Sequence, residues 1–90
     1  MKSFPYKTAR VIWLDACHWG RQETITWFQE NAKMVETCTV GYLIHENKDI
    51  VVLAQDIVER SDARDVSIIS KEDILKIEYL EIQDGKEKIK

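Results

Sequence analysis

The stretch TCTVGYLIHENKDIVVLAQDIV, residues 37–58, constrains the fold more than any other. Two runs rich in β-branched and aromatic residues flank the polar Glu46-Asn47-Lys48-Asp49. That pattern predicts two antiparallel strands joined by a tight turn. Ile50 to Ala54 are apolar without interruption, as in a strand covered on both faces. Gly41 lies inside the first run, where a missing side chain predicts a sharp bend or bulge of the kind small barrels use at corners.

Shorter elements surround this hairpin. Residues 10–19 alternate as a strand: Val11, Trp13, Asp15, Cys17 and Trp19 fall on one side, Ile12, Leu14, Ala16 and His18 on the other. Taking Ile12, Leu14 and Ala16 as the core face turns Trp13, Asp15 and Trp19 outward. Gly20-Arg21 breaks the strand, and Ile25, Phe28 and Ala32 then space as the apolar stripe of a short helix over 22–33, with Trp27 off the stripe. A polar loop at 59–65 leads to a strand at 66–69. Ser70 caps a single helical turn, and alternation from Leu75 to Ile82 marks the last strand.

Ninety residues hold one core. The expected organisation is an N-terminal extension (1–9), one domain (10–83) and a charged tail, DGKEKIK (84–90). Five short strands in this length predict a mainly β (α+β) fold: a small, strongly bent, closed or nearly closed barrel with one short helix after the first strand.

The hairpin and the last two strands resemble the Sm-like (LSm) superfamily of small five-stranded barrels, and less specifically any SH3-like barrel. Gly41, Leu43, Asn47 and Ile50–Leu53 follow the first Sm motif; Ile68-Ile69-Ser70-Lys71 with Ile74 and Ile77 follows the second. Val51 stands near the family's motif asparagine, and Lys71-Glu72 replaces its Arg-Gly or Lys-Gly. Those are the family's RNA-reading positions. The resemblance therefore implies assembly, since Sm-like barrels join edge strand to edge strand into rings, more than it implies RNA binding. The small acidic chain is also similar in look to bacteriophage and prophage accessory proteins, some of which sequester nucleotides or block host defence factors.

Charge narrows the partners. The formal net charge is -3: residues 1–34 carry five Lys/Arg against three Asp/Glu, residues 35–59 one against five, and residues 60–90 seven against eight. An acidic middle third disfavours binding that depends on phosphate contacts. The longest wholly apolar run, IVVLA, is far too short for a membrane span. Two cysteines and no secretory h-region at the start predict free thiols and a cytoplasmic protein.

Catalysis finds little support. Cys17 and His18 are strand neighbours and face opposite ways, while Asp15 beside Cys17 would quiet the thiol. Cys17, His18, Cys38 and His45 lack metal-ligand spacing, and no phosphate-binding glycine loop or nucleophile elbow is present. No cofactor is expected. Binding fits better: Trp13, Asp15, His18, Trp19 and Arg21 combine stacking aromatics with polar groups, the usual equipment of a ligand or partner surface. The leading expectation is a non-enzymatic homo-oligomer that holds a small nucleotide-like ligand or a host protein. The alternatives are an RNA-binding ring using Asn47, Lys48, Ser70 and Lys71, and a purely structural assembly protein.

Overall fold

The structure is a computed structural model that describes residues 5–18 and 20–81. The expected tail at 84–90, the end of the last strand at Ile82 and Trp19 lie outside the described residues.

The chain runs β1 (Thr8–Asp15), α1 (Ile25–Asn31), β2 (Val35–Glu46), β3 (Ile50–Val58), β4 (Asp62–Ser70), a 3₁₀ turn (Lys71–Asp73) and β5 (Ile74–Leu80). The strands form one five-stranded antiparallel sheet in the order β4-β3-β2-β1-β5. It is not closed: β4 and β5 are its two edges. The sheet nevertheless curls. Ala9 and Val11 of β1, Val51 and Leu53 of β3 and Ile69 of β4 form one buried cluster, against which Trp13, Leu43, Ile74 and Ile77 pack from β1, β2 and β5. Side chains from all five strands meet in it, and each fully buried Val, Leu or Ile contributes about 1.5–3 kcal/mol of transfer free energy.

The hairpin forms as its sequence requires. The Asn47 side-chain oxygen accepts from the backbone N–H of Asp49 (2.8 Å) and Ile50 (2.9 Å), and the Asn47 N–H donates to the Ile50 carbonyl (3.1 Å). An Asx turn of this kind is why asparagine belongs there. Val51 to Ala54 are buried on both faces of β3.

Gly41 serves a purpose other than the expected kink. Pairing between β2 and β3 slips beyond it, between Leu43 and His45. At Gly41 itself the strands press together: a Cβ there would lie 2.8 Å from the Ala54 carbonyl oxygen.

Three expectations change. The first strand starts at Thr8 and ends at Asp15, short of Trp19. Its faces are inverted: Ala9 and Val11 are fully buried and Trp13 packs on the core, whereas Ile12 faces the other way beside Cys38 and Lys76. Both faces of the strand are apolar at their centre, so alternation separates them without ranking them. The loop expected at 59–65 shrinks to a three-residue turn at 59–61, and β4 takes in 62–65. β3 and β4 meet at Glu59-Arg60, where Ser61 N–H donates to the Val58 carbonyl (3.1 Å) and φ is 50° and 62°. Two positive φ values make a hairpin turn usually built from Asn and Gly.

The helix is shorter than its sequence pattern and is not buried. Thr24 caps it, its hydroxyl accepting from the Trp27 N–H (3.0 Å). No residue of α1 is buried, and Ile25, the start of the expected stripe, is 78% exposed. Seven residues give two turns, too few to lay an apolar stripe along the sheet. Among the described residues no helix is long and apolar enough to cross a membrane.

Candidate binding cleft on the helical connection

Of the five residues singled out in the sequence, the four described occupy different settings. Trp13 is a core-side residue: its ring packs on the buried cluster, and its indole N–H donates to the Thr39 hydroxyl at 2.9 Å. The two lie near one another because Val11 pairs with Thr39, which sets Thr39 on the same face of β2. Asp15 is the last residue of β1, half-buried and opposite Val35. His18 and Arg21 are exposed in the connection to α1, and Cys17 precedes them beyond the end of the strand. Trp19 is outside the described residues. Trp13 and Asp15 thus share a strand face, and that face is the interior one.

The set Asn47, Lys48, Ser70 and Lys71 does gather. Ser70 pairs with Ile50, and the Lys71 N–H donates to the Asp49 carbonyl (2.9 Å), bringing the end of β4 against the β2–β3 turn. Two of the four, Asn47 and Lys71, have their polar groups already engaged. The Lys71 ammonium lies 2.8 Å from a Glu46 carboxylate oxygen, and the Asn47 oxygen is spent on the turn.

One cross-strand ion pair perturbs its own members. Arg10 on β1 and Glu78 on β5 are cross-strand neighbours joined by a fork: Nε to Oε1 at 3.2 Å and Nη2 to Oε2 at 2.8 Å. The hydrogen bonds from Arg10 hold the Glu78 carboxyl below the usual glutamate range, and the same bonds raise the guanidinium. The pair clamps β5 to β1 on the outward face. Among the described residues no three His, Cys, Asp or Glu side chains come together to hold a metal.

The concave feature lies elsewhere. Where β1 runs out and the chain returns through α1 to β2, a half-open cleft of about 540 Å³ is walled by Ala16, Cys17, Trp27, Phe28, Met34 and Val35. Trp27 and Phe28 meet edge to face, 5.2 Å between centroids at 89°. Asn31 also lines it; its amide donates to the Trp27 carbonyl at 2.8 Å, which leaves the side-chain oxygen as an acceptor. Lys33 lies at the rim. Reading the sequence for a buried stripe set Trp27 aside. The adjacent Trp27-Phe28 pair, on a helix too short to bury it, was the available signal.

No protein-family model, no curated protein and no solved structure matches the chain. Fold and site together define a small, mainly β protein with an open, curled five-stranded sheet and an aromatic-lined cleft on the helical connection between β1 and β2.

Proposed function

We propose that the protein is a non-enzymatic, homo-oligomeric binding protein, an Sm-like module whose copies complete one another's barrels by joining β4 of one to β5 of the next. One observation carries this reading. The two edge strands hold four of the eight exposed large hydrophobic residues described: Val66 (44%) and Ile68 (68%) on β4, Leu75 (55%) and Tyr79 (54%) on β5. An edge strand presents unpaired N–H and C=O groups as well, and a chain that stays single usually blunts such edges with charge or proline. Charge is present on both edges, at Asp62, Arg64 and Asp65 of β4 and Lys76 and Glu78 of β5, but the exposed apolar side chains beside it favour pairing. Assembly is the means and binding the purpose; sequestering a small ligand or masking a host protein, in the manner of a phage accessory protein, is the concrete form.

The RNA-ring alternative has less support, because two of its four residues, Lys71 and Asn47, are held by Glu46 and by the turn. The test is Ile68→Lys, which places a charge on the β4 edge at a position that is exposed in one copy. Native mass spectrometry of the unaltered chain should show multiples of 10.6 kDa, and the variant should fall to one copy while keeping its circular dichroism. A single copy for the unaltered chain at tens of micromolar would overturn the proposal.

A further inference from the structure

The cleft between the end of β1, α1 and the start of β2 has the size and lining of a small-molecule site. Its volume of about 540 Å³ falls within the range of roughly 300–1,000 Å³ that such sites occupy. The walls are apolar: Ala16 on the incoming strand side, Trp27 and Phe28 on the helix, Met34 and Val35 on the outgoing side. The perpendicular Trp27–Phe28 pair offers both a ring face and a ring edge. Met34, unbranched and flexible, lets the wall adapt to irregular shapes.

One charged residue lines it. Lys33 forms no ion pair among the described residues, and Glu23, Glu30 and Glu36, the acidic neighbours in sequence, are not part of the wall. A lysine at the mouth of an apolar cleft can lay its carbon stem along the wall while its ammonium stays in water. That arrangement selects by charge at the opening and by apolar contact within.

We infer that the cleft binds a small amphipathic organic anion, its alkyl or aromatic body between Trp27, Phe28 and Met34 and its single anionic group against Lys33. The inference rests on the reading of the protein as a binding module and gives that reading a ligand class. A cation of the same shape would lose the ion pair and meet repulsion, and a neutral analogue would lose the ion pair alone. Exposed pairs of this kind change affinity by about three- to fivefold.

Cys17 makes the test direct. Its thiol is free, exposed and part of the cleft wall, whereas Cys38, also free and exposed, is on β2 opposite Ile12 and outside the cleft. The full chain is treated with iodoacetamide and the alkylation of each cysteine is followed by peptide mass spectrometry, with octanoate, octanol or octylamine present. Octanoate should slow alkylation of Cys17 at least fivefold at saturation and leave Cys38 unchanged. Half-protection by octylamine should need about three- to fivefold more ligand or greater, and Lys33→Gln should bring octanoate to the octanol value. Three results would overturn the inference: an unchanged Cys17 rate up to the solubility limit, equal protection by octylamine, or no effect of Lys33→Gln. Cys17 that is unreactive before any ligand is added would also overturn it, since another copy would then fill the cleft. A single copy that still shows octanoate protection would sink the assembly proposal and leave this one standing.

Discussion

Replacing Gly41 by alanine tests a close approach between β2 and β3. The new Cβ would sit 2.8 Å from the Ala54 carbonyl oxygen and 3.3 Å from both the Ala54 carbonyl carbon and the Leu53 Cβ. Ordinary van der Waals contact begins at 3.4 Å, so β2 and β3 must part by about 0.6 Å. The atom in the way belongs to main chain, in the strand segment Val51–Ala54 that is buried throughout, so no flexible group can move aside. Overpacking of this kind costs about 1–3 kcal/mol. Gly41 is not at a positive φ, so no dihedral strain is added, and the reduced entropy of the unfolded chain returns about 0.4–1 kcal/mol. The expected net loss is about 1–2 kcal/mol, or roughly 5–12 °C in Tm for a domain of this size. Urea and thermal unfolding followed by circular dichroism would measure it. Adding Ala54→Gly should give no relief, because the clash is with the carbonyl and not with the Ala54 methyl. A Gly41→Ala protein as stable as the original, or one rescued by Ala54→Gly, would refute the account of this contact.

Further outcomes follow from other contacts. Glu78 has its pKa depressed in the folded chain by Arg10, so the stability it contributes is present above the unfolded glutamate value of about 4.3 and is lost as pH falls through the folded value. Glu78→Gln should therefore lower Tm at neutral pH, and the gap between the two proteins should close below about pH 4; parallel Tm curves down to pH 3 would refute the pairing. Thr39→Val removes the acceptor of the Trp13 indole N–H and should cost about 1 kcal/mol, read in the same urea melts. Trp13→Ala should cost about 2–4 kcal/mol as a core-side truncation; a variant of unchanged stability would return Trp13 to the outer surface.

Much of the fold was legible where local chemistry is unambiguous. Asn47 and Asp49 within the polar tetrapeptide announced the turn, and the run Ile50–Ala54 announced the central strand. Ser70 with the carboxylates behind it marked the short helical turn before β5, although the expected side-chain cap is not made: Ser70 stands at the N-cap position without a capping hydrogen bond. The sequence misled where two patterns compete. In β1, Val11 and Trp13 alternate with Ile12 and Leu14, so both faces look apolar; the deciding clue is small, Ala9 opposite Gly41, a pair that lets strands approach inside a curled sheet. The β3–β4 hairpin was hidden because Glu59 and Arg60 occupy left-handed backbone positions without the Asn or Gly that advertise them. The cleft was hidden for a different reason. Phe28 reads as part of a buried stripe and Trp27 as lying off it, and the shortness of α1 leaves both facing an opening with Met34 and Val35.

Hydrogen exchange at the two edge strands tests the central claim most directly. If copies join β4 to β5, the amides on the outer edges of both strands should be protected as strongly as those of Val51–Leu53, and Ile68→Lys should strip that protection while the interior strands keep theirs. Rapid exchange along both edges in the unaltered chain, with β3 still protected, would contradict it.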